Sequence, residues 1–404
     1  MKQEDSTTAV TTLHEWGEDI FPKLSWFKHR KVEQARIMVV GCGALGNEVL
    51  KNLALFGVGH LYIVDFDQVE YSNLTRSVLF SHDDAQQACP KVEAAARSIR
   101  RLNPHIEVIP LEADITWQVG LGLIRRMNAV VGCLDNRWAR YSLNRLCMRA
   151  GVPWVDGGIE GLEGVAKVFA PGKNCYACTL EPGAWKELSR NMSCASIIRR
   201  NERAERVPTT PIVASIIGAV QAQEAMKLVH REELEKGELT SLCGKMFYYE
   251  GQHLSSRLIK HRGWDDDCPV HECWQPNAAC SLTHLCQVGE WMEWLKATFR
   301  TETVETVLRN HVWVEYIEHR EKEGKIPVKL PAAQVQEFIE QHPTLRYVPT
   351  GEFYQHEHRC IGADFPFKEL TLQELGIPDW DVLHVKTATE EFYVELAPHA
   401  IGMK

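Results

Sequence analysis

The chain has 404 residues, enough for two or three domains at roughly 150 residues each and for a large buried core. Hydrophobic residues make up 45% and charged residues 25%, a globular balance that excludes wholesale disorder. A net charge of −9 excludes a general nucleic-acid footprint, and no apolar run reaches the roughly 18 residues of a membrane span.

Residues 1–35 are polar apart from Phe21, Trp26 and Phe27, and read as a lead-in. The apolar run 37–40 predicts a buried parallel strand, and Leu45, Val49, Leu50, Leu53 and Ala54 then recur at helical spacing. A strand at 61–64, a helix at 92–101 and strands at 106–110 and 129–134 continue the alternation. That pattern predicts an α/β fold, a parallel sheet covered by helices on both faces. A second block, 151–263, holds a strand at 165–170 and an arginine-rich polar stretch at 181–207. A helix follows, opened by Pro211 and carrying Val213, Ile216, Ile217 and Val220, and then a strand pair at 246–250 and 255–260. The last block, from about 281, opens with a helix containing Trp291 and Trp294. It closes with a helix end near Thr371, a Gly-Ile-Pro turn and strands at 382–385 and 392–396, a small α+β unit.

Gly41-Cys42-Gly43-Ala44-Leu45-Gly46 fits G-x-G-x-x-G between a predicted strand and a predicted helix. Glycines allow the tight turn and close approach of backbone to phosphate, and the helix start offers unpaired N–H groups. Asp65 ends the next strand about 20 residues on, where a carboxylate can accept ribose hydroxyls. The competing reading is a glycine turn kept for packing, with a strand-capping acid. Asp67, Asn73, Arg76 and Lys91 follow, and Asp135-Asn136 ends the strand 129–134. Arg76 and Lys91 are cations that suit a triphosphate better than the pyrophosphate bridge of a nicotinamide cofactor. Asp135, beyond a strand's carboxyl end, is placed to hold Mg²⁺. Together these residues favour ATP over a dehydrogenase cofactor.

The segments VVGCGALGNEVLKNLALFGVG, VDFDQVEYSNLTRS, CPKVEAAA, GCLDNRWARYSLNRLC, VPWVDGG, CYACTL and TTPIVASIIGAVQAQEAMKL resemble the ThiF/MoeB/HesA family, which includes activating enzymes of ubiquitin-like proteins. The resemblance spans about 26–273. It implies a Rossmann-like adenylation domain over 36–280 that adenylates the C-terminal carboxylate of a small β-grasp protein with MgATP. On matching positions Asp65 would hold the ribose, Asn73, Arg76 and Lys91 the phosphates, and Asp135 the metal. Ser77 departs from the family's usual Arg-Gln, which drops one polar contact. A trans-acting arginine near the N-terminus has no confident counterpart among Lys23, Lys28, His29, Arg30 and Lys31.

There are 13 cysteines. Met1 to Thr12 has no signal-peptide layout, which points to a cytoplasmic, reducing setting where cysteines with a purpose are metal ligands or nucleophiles. Cys175 and Cys178 have zinc-knuckle spacing, although a lone C-x-x-C also suits redox chemistry. The family keeps a second ligand pair near the end of its domain. Here that place holds Cys268, His271 and Cys273, so the resemblance implies Zn²⁺ with Cys268 and His271, or with Cys268 and Cys273. Cys194, in the stretch 181–207, resembles the thioester-forming nucleophile of some relatives, and Arg190, Arg199, Arg200, Arg203 and Arg206 would favour its thiolate. The alternative is a solvated basic loop that happens to contain a thiol. Cys42, Cys89, Cys133 and Cys147 read as packing residues.

The expectation is an enzyme that activates a ubiquitin-like protein with ATP and passes it through Cys194, as in bacterial conjugation systems, some of them antiviral. It would act as a homodimer, with residues 281–404 docking the carrier or a conjugating enzyme, and without nucleic acid or membrane. A sulfur-carrier activator of thiamine or molybdopterin type and a non-catalytic scaffold for a β-grasp protein are the alternatives.

Overall fold

The structure, a computed structural model, describes residues 21–185, 188, 208–261, 263–308, 311–319, 324–343, 345 and 353–399. After a short helix α1 (His29–Glu33), the chain enters β1 (Arg36–Val40). Ile37 and Val39 face one core cluster and Met38 and Val40 the other, each at most 1% exposed. That two-sided burial is why the strand reads as a continuous apolar run rather than an alternation. The chain continues through α2 (Ala44–Phe56), β2 (His60–Asp65), α3 (His82–Gln86), α4 (Lys91–Leu102) and β3 (Glu107–Glu112). Next come α5 (Leu121–Ile124), β4 (Ala129–Gly132), α6 (Arg137–Ala150), β5 (Trp154–Glu160) and β6 (Glu163–Phe169). After residue 208 come α7 (Pro211–Val229), α8 (Arg231–Glu235), β7 (Lys245–Glu250) and β8 (Ser255–Lys260).

These strands form one eight-stranded sheet in the order β3-β2-β1-β4-β5-β6-β7-β8, parallel as far as β5 and antiparallel beyond it. The order reverses between β1 and β4, whose residues Val39 and Val131 are register partners. In open α/β sheets a crevice opens outside the carboxyl ends of the strands at such a reversal. Helix α7 is capped by the Thr210 hydroxyl, which accepts from Val213 N–H at 3.3 Å, and has Pro at its start. By length and composition it could cross a membrane, but 56% of that window is buried inside the fold, as in a core helix.

The chain from 278 onward adds two further sheets. One has the order β14-β10-β15-β16-β9, built from β9 (Ala278–Ala279), β10 (Val304–Val307), β14 (Cys360–Ile361), β15 (Val382–Thr387) and β16 (Glu391–Glu395). Helix α9 (Val288–Phe299) packs on it through Val288, Trp291 and Leu295. The other has the order β12-β11-β13, from β11 (Trp313–His319), β12 (Lys325–Pro331) and β13 (Phe353–His358), beside a short α10 (Val335–Gln341). The helix end expected at Thr371 is instead a series of turns. Thr371 N–H and hydroxyl both donate to Glu374 Oε2, at 2.7 and 2.8 Å, and Ile377 N–H returns to Leu372 O. Gly376, at φ +84°, and Pro378 stop the segment before a helix can nucleate.

The five-stranded sheet is seated on α5. Leu121 N–H donates to Asp381 Oδ1 at 2.8 Å and Gly122 N–H to Trp380 O at 2.9 Å, while the Arg126 guanidinium lies 3.9 Å over the Trp380 ring. A Cβ on Gly122 would fall 2.4 Å from Trp380 O and 2.9 Å from its ring, neither of which can swing aside. Gly122→Ala is therefore expected to cost about 1–3 kcal/mol in urea denaturation. An unchanged midpoint would mean that this seating is not made in solution.

Candidate functional site

The glycine loop leaves β1 and starts α2, and its three glycines answer to different constraints. Gly41 sits at φ +92°, and a Cβ there would lie 2.4 Å from Cys133 O. A Cβ on Gly46 would lie 2.0 Å from Gly41 O, so helix and loop touch backbone to backbone. A Cβ on Gly43 would meet nothing within 4 Å, so the loop is open there. This is the division of labour expected of a phosphate loop: a turn, a bare approach and a close helix contact. The first turn of α2 carries N–H groups without intrahelical partners and the positive end of the helix dipole.

Asp65 and Asp67 stand at the carboxyl end of β2 and Asp135 beyond that of β4, the two strands that flank β1. Asp65 ends β2 and accepts from Cys42 N–H at 2.6 Å and from Asp67 N–H at 2.8 Å, one bond on each oxygen. Each oxygen keeps a further lone pair for a ligand hydroxyl. Burial pushes its carboxyl above the usual range, against the pull of Lys91 and those two N–H groups. Lys91, at the start of α4 and 8% exposed, donates to Asp67 Oδ2 at 2.7 Å. Burial works against its charge, but Asp65 and Asp67 outweigh it and hold the ammonium above its ordinary value. Asp135 follows β4 and accepts from Asn136 Nδ2 at 3.1 Å, while the Asn136 side-chain oxygen caps α6 by accepting from Ala139 N–H. Asn73 and Arg76 lie in and just after a short turn, and the bonds they make are local: Asn73 Oδ1 accepts from Glu70 N–H, and Arg76 donates to Ser72 O. Gly41, Gly43, Gly46, Asp65, Asp67 and Lys91 are thus tied together around the end of β1, and Asp135 follows two residues after Cys133, whose carbonyl abuts Gly41.

Sequence reasoning missed a basic cavity beside them. It has a volume of about 320 Å³, and its lining includes Arg137, Arg140, Asp156, Lys167, Tyr176 and Glu181. Arg140 Nε donates to Asp156 Oδ1 at 3.0 Å, and its terminal nitrogen reaches Leu134 O and Gly157 O. Burial opposes the guanidinium charge, but Asp156 outweighs it. The available signal was the arginine pair three apart in the first turn of a helix just after Asp135-Asn136.

Cys175, Cys178, Cys268 and His271 converge, with ligand atoms all within 4.8 Å of one another. The sulfur of Cys175 lies 3.8 Å from that of Cys178 and 3.7 Å from that of Cys268, and Cys178 Sγ lies 3.2 Å from His271 Nε2. Tetrahedral zinc with Zn–S near 2.3 Å asks for sulfur separations of about 3.8 Å, so the donor set fits Zn²⁺. The hydrogen bond shared with the Cys268 thiol holds Cys175 below its ordinary value. Cys273 does not join them. It is exposed, and its sulfur lies 3.2 Å from Gln275 Nε2 and 3.6 Å from Arg149 O. The two-residue gap to His271 returns a side chain to the cluster, whereas Cys273 has already left for the strand of chain that packs Trp274 on Arg149. Cys194 lies outside the described residues.

The ThiF family pattern matches residues 13–270. The chain belongs to the ThiF family. Over 240 residues this ThiF-family protein is 35% identical to the SAMP-activating enzyme E1 of Haloferax volcanii, covering 58% of this chain and 80% of that one. Over 234 residues it is 33% identical to the molybdopterin-synthase adenylyltransferase of Haemophilus influenzae, covering 57% and 86%. It is also 32% identical over 250 residues to the adenylyltransferase and sulfurtransferase MOCS3 of Sus scrofa, covering 62% of this chain and half of that one. A crystal structure of E. coli MccB with succinimide superposes over 61% of this chain and 68% of its own, with a TM-score of 0.48 and 24% identity.

Two outcomes follow from this geometry. Gly43→Ala should melt like the parent yet lose ATP binding, because its methyl takes up the open space of the loop. Gly46→Ala should unfold at a clearly lower temperature, because its methyl collides with Gly41 O. Equal melting of the two variants in calorimetry would contradict these separate constraints. Metal analysis should find that Cys175→Ala and His271→Ala lose bound zinc while Cys273→Ala keeps it; zinc retained by all three would remove the site.

Proposed function

We propose that this protein uses ATP to adenylate the C-terminal carboxylate of a small ubiquitin-like or sulfur-carrier protein. The observation that carries the reading is the open Gly43 position at the start of α2, in the loop that Asp65 and Lys91 border, together with aligned relatives named SAMP-activating enzyme E1 and molybdopterin-synthase adenylyltransferase. A carrier carboxylate oxygen attacks the α-phosphorus, the bond to the β-phosphate breaks, and pyrophosphate leaves. Both reactants are anionic, so the protein's task is to position them and compensate their charge. Lys91 and Arg76 would face the phosphates, the loop N–H groups the α- and β-oxygens, and Asp65 the ribose. Asp135, with Asn136 beside it, offers the oxygen donors that Mg²⁺ prefers. Magnesium, when bound, neutralises phosphate charge. The basic cavity of Arg137, Arg140 and Lys167 would take the carrier's tail and hold its carboxylate. The exposed side chains of Leu254, Leu258 and Ile259 at edge strand β8 suit a protein surface, either the carrier or a second copy in a homodimer.

The reading extends to a thioester. Cys194 thiolate would attack the acyl-adenylate carbonyl, forming a C–S bond as the anhydride C–O bond breaks and AMP leaves. A conjugating enzyme would then accept the carrier. The names of the molybdopterin-synthase and MOCS3 relatives support a second reading, in which the adenylate is consumed by sulfur transfer to give a thiocarboxylate.

Carrier-dependent ATP–pyrophosphate exchange tests the first step, and Asp135→Asn should lower it by about 100-fold or more. Exchange absent with every small protein ending in glycine encoded beside this chain would favour a scaffold. A thiol-sensitive adduct with the carrier that Cys194→Ser removes, or converts to an oxyester, supports conjugation; exchange without any adduct supports sulfur transfer.

A further inference from the structure

We infer that Glu315, His356 and His358 form a second metal site, for a divalent transition cation such as Zn²⁺, on the three-stranded sheet. These residues lie outside the span matched by the family. Strand alternation puts His356 and His358 on one face of β13, opposite Tyr316 and Trp313 of β11. The pairing skips one residue between Val314 and Tyr316, and that bulged residue is Glu315. A bulge re-aims a side chain, and here it delivers the carboxylate between the two imidazoles. One oxygen, Glu315 Oε2, lies 2.8 Å from His358 Nε2 and 3.7 Å from His356 Nε2, and the three ligand atoms are all within 4.8 Å of one another. Tetrahedral zinc with bonds near 2.0–2.1 Å asks for ligand separations of about 3.3 Å, between those two values.

The rings are also held for the purpose. His356 lies flat against Tyr316, centroids 4.7 Å apart and planes within 6°, while His358 is edged by Phe365 at 5.3 Å and Phe367 at 5.9 Å. A histidine–carboxylate pair alone would need one imidazole; the second converges on the same oxygen. His356, with 49% of its side chain exposed, leaves the site open to solvent, so a coordination position remains for water. Two histidines and one carboxylate with an open position suit a divalent transition cation. The sheet gains from such a tie, because its own core is small, with Val314, Ile317, Val328, Val335, Ile339 and Leu345 among its few buried members. A cation bridging β11 and β13 would staple the middle strand to its neighbour.

The test uses the full chain with its cysteine cluster loaded with zinc. Co²⁺ titrated into it should bind with weak visible bands and no intense sulfur-to-metal charge transfer, since the new ligands are nitrogen and oxygen. Binding should also raise the melting temperature. His356→Ala, at an exposed position, and Glu315→Gln, which keeps its shape, should each weaken binding at least about tenfold with circular dichroism unchanged. Wild-type affinity in both variants, a thiolate band, or no Co²⁺ bound at millimolar concentration would each overturn the site.

Discussion

The close approach of α2 to the loop that precedes it is the constraint on which the rest depends. Gly46 and the Gly41 carbonyl leave no room for a methyl between them, so the helix can start only directly over the end of β1. That start presents the amino end of α2 at the reversal of strand order, the one place in the sheet where neighbouring connections diverge. The bracing comes from far away in the chain. Gln221 of α7, fully buried, donates to Gly132 O at 2.9 Å, and Gly157 of β5 lies so close to it that a Cβ would fall 2.3 Å from its amide. One helix, α7, therefore locks β4 and β5 beneath the crevice.

The charges of the crevice are paired before any ligand arrives. Lys91 rests on Asp67 with Asp65 close by, and Arg140 on Asp156; in both cases the carboxylates overcome the cost of burial. A buried cation without such a partner would lose its proton or distort the fold. With one, it stays charged and fixed, and an anionic substrate meets an oriented field rather than side chains still to be gathered. The net charge of −9 has no bearing on this, because the groups concerned act over a few ångströms in a medium that screens them poorly.

What could be read from the sequence was what a short stretch of chain decides alone. The glycine loop and the C-x-x-C spacing lie within one turn of chain and Asp65 at the end of one strand, and the parallel alternation followed from apolar runs. Residues that function through a crossing were illegible. Arg140 becomes significant only because β5 brings Asp156 beside α6, and Glu315 only because a bulge breaks the period of β11. That His271 rather than Cys273 lies beside Cys178 likewise depends on the path of the chain toward Trp274, which spacing does not encode. Near Thr371 the sequence suggested a helix end, but the five residues from Thr371 to Leu375 before Gly-Ile-Pro are too few to hold one.

The region after 278 is less separable than its place in the chain suggests. Trp380 and Val382 belong to the same buried cluster as Trp154, Cys175 and Cys178, so the five-stranded sheet completes a core that also carries the cysteine cluster. Trp380 adopts φ +56°, a conformation costly for a bulky residue, and holds it through the bond from Gly122 N–H and the guanidinium above its ring. Strain of that kind persists only where the surroundings outweigh it. Removing residues 281–404 would strip Leu121 N–H of its carboxylate and open the core beneath Cys175. Loss of activity in such a truncation would report on this shared core as much as on any partner. The three-stranded sheet is the better place to look for a separate role, since Val314, Ile317 and Val335 form a cluster of their own.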